Sequence, residues 1–99
     1  LPSWSPEAVL NVYRLLQEAC YNAVRHARAQ TLTIRAQLVD GKFEITVADD
    51  GIGIDPHASD GFGLANLRAR AARLGGVLEV RTASGHGTQV ILRLPSATA

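Results

Sequence analysis

The chain has little of several things, and each scarcity excludes a class of protein. One cysteine among 99 residues rules out an internal disulfide framework and suits a reducing compartment. Aromatic residues make up 5% of the sequence, too few and too scattered for a platform on which nucleic-acid bases stack. Neither charge sign dominates: the formal net charge is +1, so there is no basic field to attract nucleic acid and no acidic tail for a cationic partner. Apolar runs are short throughout, which excludes a membrane-spanning helix and a signal-peptide core, and no direct membrane contact by this segment is expected. With 46% hydrophobic and 19% charged residues, residues 1–99 read as one small globular domain, near the lower size limit for a self-sufficient core. The opening "LPSW" and the small residues at the end are what a domain cut from a longer protein would show.

What is present is well ordered. Ser5-Pro6-Glu7 predicts a helix start: a capping hydroxyl, a proline in the first turn and an acid at the positive end of the dipole. The helix is expected to run to about Ala27, burying Val9, Val12, Leu16, Ala19, Cys20, Ala23, Val24 and Ala27. "TLTIRAQL" and "KFEITVA" alternate as strands should, the first with Leu32, Ile34, Ala36 and Leu38 on one side. Asp40-Gly41 between them signals a hairpin. A second helix is predicted from about Leu64 to Leu74, stopped by Gly75-Gly76. Two further strands, "VLEVRTA" and "TQVILRL", flank "SGHG", and Pro95 ends the pattern. Hairpins separated by helices point to a two-layer α/β sandwich, a mixed sheet with helices on one face.

Three features lie outside this scaffold. Glu18, Asn22, Arg25 and His26 share one side of the first helix, read as the side opposite its apolar stripe. A solvated face is the ordinary meaning of such a group. An acid, an amide oxygen, a guanidinium and an imidazole together also suit a divalent cation and the phosphates around it. The second feature is "DDGIGI", Asp49–Ile54, which closes the second strand. A hairpin turn would explain it, but the polar "DPHASD" that follows is no strand. The third is Gly61-Phe62-Gly63, which opens the second helix, where free amides favour an anion. Gly51, Gly53, Gly61 and Gly63 thus bracket a loop and let a ligand approach the backbone closely. Residues 55–60 are expected to be mobile without a ligand and ordered with one.

In this order the segments resemble the histidine-kinase-type ATPases. "LLQEACYNAVRHA" is similar to their N box, "DDGIGI" to the first glycine box, "GFGLANLRARAARLGG" to the second, and "GHGTQVILRLP" to the closing strand. The form "QEAxxNAxxHA", the short lid and "GLxxLRxRAxxLGG" resemble sensor kinases of the nitrate-sensor subfamily. The resemblance implies the Bergerat fold, ATP and Mg²⁺ as ligands, and transfer of the γ-phosphate to a histidine on a separate dimerisation domain. A response regulator would follow downstream. None of the chain's own histidines, His26, His57 and His86, lies in an acid-flanked segment of a long helix.

The resemblance also implies roles. Asn22 would ligate magnesium, and Glu18 would sit beside it and orient or activate the attacking group. Arg25 and His26 would contact phosphate or flank the nucleotide. Asp49 would accept a hydrogen bond from the adenine amino group, with Gly51 and Gly53 giving the base close access. Gly61, Gly63 and Leu64 would carry the lid's end and phosphate contacts, and Thr88 would complete the adenine side. Plainer readings stand beside these. Asp50 is expected to be a solvated loop acid, and Arg68, Arg70 and Arg73 the solvated face of the second helix. Thr88 is equally explained by β-propensity, Phe62 by lid packing, Cys20 by core packing, and His57 and His86 by surface exposure. Rival functions within the same fold are an anti-sigma-type serine kinase and an ATP-hydrolysing clamp; a domain that binds no nucleotide is a further one. The resemblance places the domain in the cytoplasm, within a full-length protein that is membrane-anchored in most such kinases.

Overall fold

The computed structural model describes residues 4–25, 28–52, 64–82 and 87–95, and for Arg25 and Leu64 the backbone alone. Helix α1 (Pro6–Arg25) starts as its sequence predicts, with the Ser5 hydroxyl oxygen accepting the Ala8 N–H at 3.1 Å. Strands β1 (Leu32–Val39) and β2 (Lys42–Asp49) form a hairpin whose turn residues, Asp40 and Gly41, have φ of 51° and 77°. Two consecutive left-handed residues match the right-handed twist of the flanking strands, and Asp-Gly tolerates them best. Helix α2 (Leu64–Arg73) ends in a Schellman closure: Gly76 N–H bonds the Ala71 carbonyl at 2.9 Å and Gly75 N–H that of Ala72 at 3.0 Å. Gly75 supplies the left-handed φ of 74°. At Gly76 a Cβ would lie 2.5 Å from the Arg93 carbonyl oxygen, so the glycine pair both stops the helix and admits the sheet.

Strands β3 (Val77–Thr82) and β4 (Thr88–Pro95) complete a sheet of order β1-β2-β4-β3. The two-layer α/β arrangement agrees with expectation, but the sheet is not mixed: each ladder among the described residues is antiparallel. β2 and β3, on either side of α2, do run parallel. β4 inserts between them and pairs antiparallel with both, which is a split β-α-β unit.

The helices lie on one face of the sheet. Ile45 and Val47 of β2, Leu78 of β3, and Val90, Leu92 and Leu94 of β4 are buried against Ala8, Val12, Leu15 and Ala19 of α1 and Leu67 and Ala71 of α2. Trp4 ties the entry of the chain to this layer, donating its indole N–H to the Pro95 carbonyl at 2.9 Å and meeting Phe43 edge-on at 5.0 Å. On the opposite face Arg93 of β4 bridges Glu44 of β2 and Glu79 of β3, at 3.1 and 2.8 Å.

Two expectations about burial are corrected. The buried stripe of α1 is Ala8, Val12, Leu15, Ala19 and Ala23, whereas Val9 and Val24 are 51% and 66% exposed. The helix is rolled toward α2, which packs on its Glu18 side. The alternating face of β1 is largely uncovered as well, with Ile34 52% and Leu38 63% exposed. β1 is one of the two edge strands, and the two helices sit over β2, β4 and β3 instead. Helix α1 is described to Arg25; residues 26–27 lie outside the described residues, as does the segment 53–63 that holds the expected lid. Cys20 is half-buried against the core as expected, and burial pushes its thiol pKa up.

Candidate functional site

One group of the expected site residues lies at the end of the sheet. Asp49, the last residue of β2, is the cross-strand partner of Thr88, the first residue of β4. Both belong to the alternation that points Val47 and Val90 at the helices, so Asp49 and Thr88 extend the core face beyond its apolar part. Thr88 is 3% exposed, and its hydroxyl lies 3.0 Å from that of Thr82 on β3, which in turn donates to the Gly87 carbonyl at 3.2 Å. One carboxylate oxygen of Asp49, Oδ1, accepts the Gly51 N–H at 2.8 Å, an Asx turn that fixes the side chain. Oδ2 has no protein partner among the described residues and remains an acceptor. A cavity of about 330 Å³ opens here, lined by Asp49, Thr82, Gly87 and Thr88 with Arg81 and Gln89 at its rim.

Gly87 holds this end of the sheet closed. Its φ is 82°, and a Cβ on it would fall 2.1 Å from the Asp49 carbonyl oxygen. It is the glycine directly before Thr88 in the "GHGT" segment, part of the stretch that resembles the family's closing glycine-threonine strand, and the sequence assigns it no role of its own.

Asp50 is a solvated loop acid, as expected. It is exposed, yet its Oδ1 accepts the N–H groups of both Gln30 and Thr31 at 2.9 Å. These bonds, first to Thr31 and then to Gln30, hold its carboxyl below the usual range. The contact joins the connection that leaves α1 to the strand end bearing Asp49. The adjacent carboxylates of "DDGIGI" differ in setting: Asp49 lines the cavity, and Asp50 accepts the backbone N–H groups just before β1.

A second group of the expected residues lies on the helices. Glu18 and Asn22 are both half-buried, on the flank of the α1 stripe rather than opposite it. Arg70 of α2 reaches across to Glu18, Nε to Oε2 at 3.5 Å, which corrects its reading as part of a solvated face. A cavity of about 490 Å³ lies beside this pair, lined by Arg14, Gln17, Glu18, Tyr21 and Arg70. Arg68 and Arg73 are exposed, as expected. Of the remaining site residues, Gly51 is buried at the Asp49 turn. Arg25 and Leu64 are placed by their backbones alone, and His26, Gly53, Gly61 and Gly63 lie outside the described residues. No sequence pattern could have paired Arg70 with Glu18, because their contact depends on how two helices separated by a hairpin lie together.

A family profile described as histidine kinase-, DNA gyrase B- and HSP90-like ATPase matches residues 7–98. The chain belongs to this ATPase family. Among curated relatives, the signal transduction histidine-protein kinase/phosphatase UhpB of Salmonella typhimurium is 36% identical over 87 residues, covering 87% of this chain and 17% of UhpB. The nitrate/nitrite sensor protein NarQ of Escherichia coli is 36% identical over 102 residues, covering 98% of this chain and 18% of NarQ. Among solved structures, the blue-light activated histidine kinase of Erythrobacter litoralis EL346 superposes with a TM-score of 0.79 at 26% identity. That match covers 96% of this chain and 34% of the kinase chain. The ATPase domain thus spans about a sixth of the length of these two curated relatives. The α/β fold of the family and its helix-on-sheet layering are those described above. Among the described residues of this ATPase domain, no helix is long and apolar enough to cross a membrane.

Proposed function

We propose that residues 1–99 form the Mg-ATP-binding catalytic domain of a sensor histidine kinase, acting in the cytoplasm as part of a longer protein. The observation that carries this reading is the presentation of Asp49. Its carboxylate is fixed through one oxygen, leaves the other as an acceptor, and stands beside a buried threonine at the mouth of a cavity. An acceptor held rigidly at a partly enclosed site suits the amino edge of adenine. The phosphates would extend toward α1, which carries Glu18 and Asn22.

The donor set on α1 fits magnesium. Among the described residues no group of three or more His, Cys, Asp or Glu side chains converges as an all-protein metal cage would require. Asn22 and Glu18 instead offer one amide oxygen and one carboxylate, and magnesium is commonly held by few protein oxygens together with substrate phosphates. When bound, the metal would neutralise charge on the β- and γ-phosphate oxygens. Asn22 would hold it through the amide oxygen. Glu18 would orient the attacking group beside the γ-phosphate. Arg25 and His26 would contact phosphate, Gly51 and Gly53 would admit the base, Thr88 would complete its pocket, and Gly61, Gly63 and Leu64 would carry the lid's end. The acceptor would be a histidine of a separate dimerisation domain, and a response regulator would receive the phosphoryl group next. The sensor-kinase character of the relatives favours this reading over a serine kinase or an ATP-driven clamp of the same fold.

Calorimetric titration of ATP into the chain, with and without Mg²⁺, tests the proposal. Binding that strengthens with Mg²⁺, and an Asn22→Ala variant that loses Mg-ATP affinity more than metal-free ATP affinity, are the expected results. No ATP binding in either condition would refute the function. Equal losses with and without the metal would remove Asn22 as a ligand.

A further inference from the structure

The Arg70–Glu18 pair has a bearing on this site that its helix-joining role does not exhaust. Glu18 lies one helical turn before Asn22 on the same flank of α1, so its carboxylate borders the place proposed for the metal. In the structure that carboxylate is engaged by a cation from α2, Nε to Oε2 at 3.5 Å, with both side chains about one-third exposed, 35% and 29%. The cavity of about 490 Å³ beside the pair leaves the guanidinium room to swing aside. Arg14, one turn before Glu18, lines the same cavity, so a released Arg70 would remain in a basic environment suited to phosphate.

We infer that Arg70 is a resident counter-ion for Glu18, and that Arg70 and the divalent cation accompanying ATP compete for this one carboxylate. The inference rests on the proposed Mg-ATP site. With the metal absent, Arg70 neutralises Glu18 and ties α2 to α1. With the metal present, the stronger divalent charge draws Glu18 toward Asn22, and Arg70 is freed toward the anionic phosphates. Arg70 is then a positioning residue that acts through Glu18. It also links the metal site mechanically to α2, the helix that follows the second glycine pair.

Competition has a signature that a purely structural contact lacks: removing either partner moves the metal dependence in opposite directions. Taking away Arg70 leaves Glu18 unpaired, so the site becomes more negative and attracts the divalent cation more strongly. Taking away the Glu18 charge leaves Arg70 unpaired, which repels the metal and favours free ATP.

The test is titration of Mg²⁺ into the 99-residue chain at fixed ATP, reading nucleotide affinity by calorimetry and the folded state by circular dichroism. Arg70→Gln should lower the Mg²⁺ midpoint up to about fivefold, the scale of a partly exposed ion pair. It should also weaken metal-free ATP binding. Glu18→Gln should raise the midpoint, and Arg70→Lys should stay near wild type. In the Glu18→Gln background, Arg70→Gln should shift it less than in the wild type, because only the repulsion between Arg70 and the metal is then relieved. An unchanged or raised midpoint in folded Arg70→Gln, with wild-type Mg-ATP binding intact, overturns the competition and leaves the nucleotide site standing. An equal shift from Arg70→Gln in both backgrounds overturns it too, since Arg70 would then act without Glu18. A wild-type chain that binds no Mg-ATP overturns the nucleotide site itself, and the competition with it.

Discussion

Asp49 and Thr88 face each other across the β2–β4 ladder, an acid and a buried hydroxyl continuing the row begun by Val47 and Val90. The row changes from apolar to polar at the sheet's end, where the cavity opens. Selectivity between bases should be set there. An acceptor-only carboxylate matches the adenine amino group, whereas guanine presents a carbonyl oxygen at that edge. The mismatch is expected to cost about 1–3 kcal/mol, roughly tenfold to a hundredfold in affinity. Asp49→Asn can turn either an acceptor or a donor outward, so it should bind ATP more weakly and lose much of its preference over GTP. Competition binding of the two nucleotides measures this, and an unchanged ATP-to-GTP ratio would return Asp49 to the status of a turn residue.

Gly87 should tolerate substitution far less well than Gly41, though both have a positive φ. Around Gly41 nothing lies within 4 Å of an added Cβ, so Gly41→Ala carries only the left-handed penalty of about 1–2 kcal/mol. At Gly87 the same penalty is joined by a collision with the Asp49 carbonyl oxygen, 2.1 Å away. Gly87→Ala should therefore lower Tm at least twice as much as Gly41→Ala, at about 4–8 °C per kcal/mol for a domain of this size. It should also weaken ATP binding by displacing Asp49, while Gly41→Ala leaves that affinity in place. Equal Tm losses in thermal melts would contradict the close approach.

Asp50 makes the fold sensitive to acid. Backbone N–H groups of Thr31 and Gln30 favour its charged form, so its folded pKa lies below the unfolded value. The unfolded chain then binds the proton first as pH falls. The stabilisation is complete above the ordinary aspartate range and disappears as pH drops through the lowered folded pKa. Asp50→Asn keeps an oxygen acceptor but not the charge. The stability gap between wild type and variant should thus be widest near neutral pH and close on acidification. Denaturant melts from pH 7 down to about pH 2 follow it, and a gap constant with pH would mean that the charge is irrelevant.

Ser5 offers a test of the helix start away from the site. Its hydroxyl accepts the Ala8 N–H at 3.1 Å, one of the amides that α1 cannot satisfy internally. Ser5→Ala should cost about 1 kcal/mol, and Ser5→Asp should restore most of it. Urea unfolding of the three proteins gives the comparison; loss without rescue by aspartate would show that the cap is not the cause.

Several of these features are legible in the amino-acid sequence alone. The Ser5 cap, the Asp40-Gly41 turn, the Gly75-Gly76 stop and the alternation of β2 and β4 depend on sterics and hydrogen bonds within a few residues, so a short stretch of sequence suffices to specify them. The place of Asp49 at a strand end before a glycine loop is of the same kind. Tertiary structure decided the rest. Val9 and Val24 are as apolar as the buried Val12, but they lie outside the core because α2 packs on the Glu18 flank of α1. Ile34 and Leu38 alternate as well as Ile45 and Val47 do, yet remain exposed because β1 is an edge strand that neither helix covers. Asp50 has the sequence setting of a loop acid because its partners, Gln30 and Thr31, precede a whole hairpin. Arg70 has that of a solvated cation because Glu18 lies on another helix. Periodicity specifies that one side of an element is apolar. Which elements come to cover that side, and which charges meet across the gap, is set by the packing of segments distant in the chain.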